Sequence, residues 1–210
     1  MREFIISDYH FNHSKMVGDK TTIETRKQFK SVKEMNDTII ANHNAIVTDD
    51  DIVYIAGDLG MTVRPKELFD ILSRMKGQLW LVQGSHDNMV KYLNYLEFNN
   101  YYLPNGRKKF VFKLMGFRFK RNALTYYVTH FPLGIGTTRD NMRNFHGHLH
   151  DAKSEDPNLF NVCVDSPELP EGMPFGAPLP LDVAMELLEH KWTSWLATQP
   201  PRPPKHAPQN

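Results

Sequence analysis

The chain has 210 residues, 40% hydrophobic and 23% charged, with 25 Lys and Arg against 24 Asp and Glu for a formal net charge of +1. That length suits one domain with a buried core and excludes two large ones, and the near balance of charge excludes any global pull on polyanions, so affinity for nucleic acid must come from local patches. A single cysteine, Cys163, excludes an internal disulfide and a cysteine-based zinc site, leaving His, Asp and Asn to hold any metal.

Met1-Arg2-Glu3-Phe4 enters apolar sequence at once, without the basic region, long apolar stretch and cleavage site of a signal peptide, and no apolar run approaches the roughly 18 residues of a membrane span. A cytoplasmic protein, or one in the host cytoplasm if phage-encoded, is expected, with no membrane partner. Phe4-Ile5-Ile6 reads as a buried strand ending on Ser7-Asp8, followed by a polar loop to Lys20. Ser31-Val32-Lys33-Glu34 has the form of a capping box, and Met35, Ile39 and Ile40 lie on one face of the helix it opens. Asp51 to Ala56 is a second strand ending on Gly57-Asp58. A helix from about Pro65 to Met75, stopped by Gly77, leads to a third strand, Gln78 to Val82, ending on Gly84-Ser85-His86-Asp87.

From about Tyr101 the pattern changes to short strands at Phe110 to Phe112, Phe117 to Phe119 and Tyr126 to Val128, with turns at Asn105-Gly106 and Gly116. Leu181 to Leu196 carries Val183, Leu187, Leu188, Trp192 and Trp195 at the spacing of an amphipathic helix. Residues 1–197 are therefore expected to form one domain, and 198–210, with Pro200-Pro201-Arg202-Pro203-Pro204, an extended disordered tail.

Divalent metals of hard or borderline character take imidazole nitrogen and carboxylate oxygen, and two such ions roughly 3.5 to 4 Å apart can clamp both the attacking and the leaving oxygen of a phosphoryl displacement. In Asp8-Tyr9-His10 an extended strand end would point residues i and i+2 to the same side, so that a carboxylate and an imidazole reach one ion; His148 and His150 share that spacing. Each pair alone is weak. The joint pattern is stronger, because three predicted strands end in Asp8, Asp58 and His86, and seven of the ten histidines (His10, His13, His86, His130, His146, His148, His150) lie in or beside these motifs.

Taken in order, Asp8-Tyr9-His10, Gly57-Asp58, Gly84-Ser85-His86-Asp87, Val128-Thr129-His130-Phe131-Pro132 and Gly147-His148-Leu149-His150 resemble the signature of the calcineurin-like metallophosphoesterase superfamily. The stretches Arg26 to Asn36, Asn44 to Asp58 and Phe160 to Asp165 resemble its small bacterial and phage members, so the likeness spans about residues 1–190. It implies an α/β fold, a four-layer αββα sandwich of two mixed β-sheets flanked by helices. It also implies two divalent ions, Mn²⁺ first, with Mg²⁺, Fe²⁺, Zn²⁺ and Ni²⁺ as alternatives. Asp8, His10 and His150 would hold one ion, His130 and His148 the other, and Asp58 would bridge them. The substrate would be a phosphomonoester or phosphodiester, a nucleotide or nucleic acid among them, attacked by hydroxide held on the ions while His86 assists the leaving oxygen.

One position departs from the pattern: Ser85 stands where the superfamily has a metal-binding Asn. Its shorter side chain would leave a gap for water in the second metal site. It would be a natural variant with weaker second-ion affinity, an introduced substitution, or the mark of a site decayed into a nucleotide- or phosphate-binding module. Asn12, His13 and Arg143 are candidate substrate contacts, with Arg139 beside Arg143 in that role, and His146 is a candidate support for a ligand. Asp87 and Asp165 read as braces. Between Phe98 and Arg139 basic residues alternate with aromatics and no Asp or Glu occurs, which suits a nucleotide or single strand; a solvated hairpin with its aromatics packed inward is the preferred reading. Oligomeric state is not legible.

Overall fold

A computed structural model describes residues 1–61, 64–135 and 140–200. In chain order it contains β1 (Glu3–Ile6), a 3₁₀ turn (Gly18–Lys20), α1 (Glu24–Lys27), α2 (Val32–Ile46), β2 (Ile52–Ile55), α3 (Pro65–Ser73), β3 (Gln78–Val82), α4 (Met89–Phe98), β4 (Phe110–Lys113), β5 (Phe117–Arg121), β6 (Leu124–Thr129), β7 (Met142–His146), β8 (Leu159–Asn161), β9 (Leu179–Pro180) and α5 (Leu181–Ala197). The expected Arg139 contact and most of the proline-rich tail lie outside the described residues.

The strands form two mixed sheets flanked by helices, an α/β sandwich. One sheet has the order β4-β3-β2-β1-β9, parallel except for β9; the other has the order β5-β6-β7-β8, parallel except for β5. Parallel neighbours need crossover connections, and α2 and α3 supply them between β1, β2 and β3. α2 starts as its sequence requires: the Ser31 hydroxyl accepts from the Glu34 N–H at 3.2 Å, the Glu34 carboxylate accepts from the Lys30 N–H, and Met35, Ile39 and Ile40 are buried.

Two cores result. In one, the α2 side chains join Leu68, Phe69 and Leu72 of α3 against Phe4, Val53, Leu79 and Leu81. In the other, Ile5, Tyr54 and Val82 of the first sheet meet Tyr126, Val128 and Phe145 of the second, with Leu181, Ala184 and Leu188 of α5. α4 has no counterpart in the sequence reading. Its signals are present, with Asn88 capping the Lys91 N–H and Met89 and Tyr92 buried one turn apart, but apolar Val90, Leu93 and Phe98 stay exposed and blur its period.

The basic, aromatic segment packs as its plainer reading expects. Phe117 lies 5.0 Å from Tyr54 and 5.5 Å from Trp80, and Phe119 stacks on Tyr126 at 5.3 Å. Buried Lys109 donates to the carbonyls of Met75 and Gly77, and Arg121 pairs with Glu3. These rings are spent on the core and are not free to stack on bases. No helix among the described residues is long and apolar enough to cross a membrane.

Candidate metal centre

The expected side chains meet beyond the C-terminal ends of β1, β2, β3, β6 and β7, where parallel strands hand over to loops. The local backbone differs from the extended strand end expected for Asp8-Tyr9-His10. β1 stops at Ile6, and Asp8, His10 and Asn12 have φ of +59°, +52° and +60°. Their N–H groups are tied regularly all the same, that of Asp8 to the Gly57 carbonyl and that of His10 to the Asp58 carbonyl, both at 3.0 Å. Asp58, His148 and His150 are also left-handed, so six of the eight non-glycine residues with positive φ among those described belong to the predicted site. Each such residue costs on the order of 1 kcal/mol or more, and Asp, Asn and His bear it better than most. This concentration of strain marks a backbone shaped to aim side chains.

Two glycines permit the close approach. A Cβ at Gly147 would collide with Asp8 Oδ2 and the Ser7 hydroxyl, and one at Gly84 would collide with Asp58. Bare backbone here lets the β3 and β7 loops press against the two carboxylates.

Asp58 lies at the centre. Its Oδ1 accepts from the His86 N–H at 2.8 Å, and its Oδ2 lies 3.5 Å from Nε2 of both His10 and His130. His130 Nδ1 is 2.9 Å from the Ala56 carbonyl, which can only accept, so this nitrogen carries the proton and Nε2 presents a bare lone pair. Both Nε2 atoms are buried with no hydrogen-bond partner. Burial, reinforced by Arg26, pushes the His10 pKa far below the usual imidazole range, so the ring is neutral. The His130 lone pair thus faces a carboxylate at a distance too long for a hydrogen bond, an arrangement that repels unless a cation sits between them, and His10 Nε2 stands unpartnered at the same distance. The donor set, imidazole nitrogen with carboxylate oxygen, is one that divalent transition ions accept.

Asp8 lies alongside, accepting from the Ser7 hydroxyl at 2.5 Å and from the His148 N–H at 3.1 Å. Burial raises its pKa, against the pull of His130 and His150. Ligand-capable atoms group within 4.8 Å of one another as Asp8 with Asp58 and His130, His10 with Asp58 and His86, and Asp8 with His150 and Cys163. These clustered His and Asp side chains could bind metal.

Not every expected residue converges equally. His148 is exposed, and its ring packs on Phe131 at 4.6 Å and His130 at 5.1 Å, so it joins none of the three groups. The Ser85 hydroxyl lies 3.1 Å from Asp58 Oδ2 and is a donor to that carboxylate. His13 and His86 gather round His10 with ring centroids 5.2 and 5.3 Å away. Asn12 turns to Asn36, with its side-chain oxygen accepting at 2.7 Å. Arg143 requires correction. It is 1% exposed, forks onto Glu189 at 2.7 and 2.9 Å, donates to Asn158 and two carbonyls, and lies over the Trp192 ring. With its donors used inside the fold it cannot anchor a substrate phosphate. His146 is buried, with Nδ1 2.8 Å from the Gly147 carbonyl.

Asp87 braces the β3 loop, accepting from the N–H groups of Gly84 and Leu59. Asp165 braces His150 at 3.1 Å, and its partner was missed in the sequence: fully buried Arg26 donates to Asp165 at 2.8 Å and to the Asp8 carbonyl at 2.6 Å. Burial would raise the Asp165 pKa, but Arg26 outweighs it and the carboxylate is held below its usual range. Nothing local joins residues 139 positions apart. Through this pair the β1 loop and His150 are set together, so, with His150 as a candidate ligand, Asp165→Asn should weaken metal binding by about 10- to 100-fold, the usual effect of removing a ligand's supporting carboxylate. Calorimetric titration of the metal checks this, with a thermal melt on the same sample to show that the fold survives.

No known family profile matches the chain. Over 99 residues it is 34% identical to an uncharacterized protein of Methanocaldococcus jannaschii; the match takes in 47% of this chain and 53% of the relative, so it spans about half of that protein's length. Among solved structures, a protein of unknown function from Aquifex aeolicus is similar in fold, with a TM-score of 0.59 and 18% identity over 89% of this chain and 98% of that one. Yfce, a phosphoesterase from E. coli, matches more distantly, with a TM-score of 0.45 and 15% identity over 82% of this chain and 83% of its own.

Proposed function

We propose that this chain is a metal-dependent phosphoesterase of the calcineurin-like kind, hydrolysing a phosphomonoester or phosphodiester with two divalent ions, Mn²⁺ first among those to test. The observation that carries the reading is the pair of bare, buried Nε2 atoms of His10 and His130 on either side of Asp58 Oδ2. Asp8, His10, Asp58 and His150 would hold one ion, and Asp58, His130 and His148 the other. His148 would have to turn from its packing on Phe131 to do so. When bound, the ions lower the pKa of water and neutralise charge on the phosphoryl group. The chain's own part is to exclude water beneath the carboxylates, to hold the His10 imidazole neutral and, through His86 at the exposed rim, to offer a proton to the leaving oxygen.

One observation favours a second reading, a phosphate-binding module of impaired activity: the Ser85 hydroxyl is engaged by Asp58 and leaves the second ion short of a ligand. Hydrolysis of bis-p-nitrophenyl phosphate and p-nitrophenyl phosphate with Mn²⁺, beside metal titration of wild type and Ser85→Asn, separates the two. The enzyme reading expects turnover in wild type and tighter binding of the second ion in Ser85→Asn. Metal bound without turnover in either protein would leave only the binding module.

A further inference from the structure

We infer that the groove beside His86 is a leaving-group subsite for a neutral alcohol with an apolar body of about naphthol or nucleoside size; this rests on the phosphoesterase reading above. The groove has a volume of about 580 Å³, within the usual range of ligand pockets, and is lined by Gln83, Ser85, His86, Val90, Leu93 and Leu114 among others. Its position gives it meaning. Ser85 and His86 form one wall, and the ring of His86 also faces His10 and His13, so His86 separates the carboxylate cluster from the groove. If His86 protonates the leaving oxygen, whatever hangs from that oxygen passes His86 into this space.

The chemistry of the lining selects the occupant. Val90, Leu93 and Leu114 are 70%, 41% and 52% exposed, a degree of apolar exposure that is unusual when clustered beside polar ligands and typical of a ligand groove. None of the residues lining it is Lys or Arg, and the one carboxylate among them, Asp87, is buried and taken up by the Leu59 and Gly84 N–H groups. A continuing polyanionic strand would meet no cation here. A neutral alcohol would cover the three aliphatic side chains, with the Gln83 amide at the border for a polar edge. A nucleic-acid substrate would accordingly be limited to short esters whose leaving group ends in this groove.

The test substitutes the groove and leaves the carboxylate cluster alone: Val90→Asp and Leu114→Asp, both at exposed positions, with a thermal melt of each variant to confirm the fold. With Mn²⁺ present, kcat/KM is measured for 2-naphthyl phosphate and for glycerol 2-phosphate, and binding of 2-naphthol is followed by its own fluorescence. Each variant is expected to lose about tenfold or more in kcat/KM on the naphthyl ester relative to the glycerol ester, the scale on which an apolar pocket discriminates, and to lose naphthol binding. Equal losses on both esters, or no binding of naphthol by wild type, would overturn the subsite. Naphthol binding that both variants abolish, in a wild type that binds Mn²⁺ and hydrolyses neither ester, would sink the phosphoesterase reading while leaving an apolar ligand groove.

Discussion

Asp58→Asn should abolish metal binding and activity while leaving the metal-free protein at least as stable as wild type. In wild type the Asp58 carboxylate faces two unpartnered imidazole nitrogens, each 3.5 Å from Oδ2, and that of His130, whose other nitrogen donates to the Ala56 carbonyl, is an acceptor like the carboxylate. An asparagine keeps an oxygen for the His86 N–H and places an amide N–H₂ where Oδ2 was, so that it donates to His130 and removes that conflict, while the rotatable Ser85 hydroxyl turns from donor to acceptor. The same change deletes the charge on which the proposed metal binding depends. The loss in kcat/KM should be a thousandfold or more, since metal ions contribute several kcal/mol to such reactions and about 1.4 kcal/mol is a factor of ten. Thermal melts give the sharper readout. Mn²⁺ should raise the midpoint of wild type, because it binds the folded state alone, and should leave the variant unmoved. A variant that melts well below metal-free wild type would show that the carboxylate is satisfied without a cation.

His86→Ala should do the reverse, keeping the metal and losing turnover by about 10²- to 10⁴-fold, the usual contribution of a positioned general acid. The deficit should grow as the leaving group becomes poorer: modest on p-nitrophenyl phosphate, large on an alkyl phosphate, because a good leaving group departs without a proton. The structure makes this measurement decisive. A His86 ring nitrogen lies within the ligand-sized group that includes His10 and Asp58, so the ring is near enough to serve as a ligand as well as an acid. Retained metal stoichiometry with leaving-group-dependent loss assigns the acid. Loss of one ion, with equal losses on good and poor leaving groups, would reassign His86 as a ligand.

The parts of the fold that were legible in sequence are those written in local chemistry. β1, β2 and β3 are short apolar runs ending at Asp8, Asp58 and the Gly84 loop, α2 carries its own cap, and α5 shows its apolar stripe. α4 was not, since only Met89 and Tyr92 are fully buried and apolar Val90, Leu93 and Phe98 stay exposed, which blurs its period. The backbone at Asp8 and His10 was misread for a related reason. Spacing of i and i+2 matches an extended strand, but the observed positive φ reflects the pairing of the β1 loop with the β2 loop, a long-range bond pattern that no local signal announces.

Arg143 shows the limit most plainly. Next to a histidine cluster, a lone arginine reads as an anion anchor. What decides is whether another carboxylate claims it first, and Glu189 lies 46 residues away on α5. Arg26 is the same case in reverse, a residue with no local mark that becomes a support for His150 and the Asp8 loop by meeting the brace Asp165 in the interior.

Sequence by itself therefore determined which groups could do chemistry: the kinds of ligand, their order along the chain, and the strand ends that carry them. Tertiary structure alone decided which of them converge. It turned the bare nitrogens of His10 and His130 on Asp58, drew Ser85 to that carboxylate as a donor, left His148 packed outside on Phe131, and withdrew Arg143 from solvent. The physical reason is that residue type sets what a side chain can donate or accept, whereas the charges and lone pairs that compete for it are supplied by residues far away in the chain.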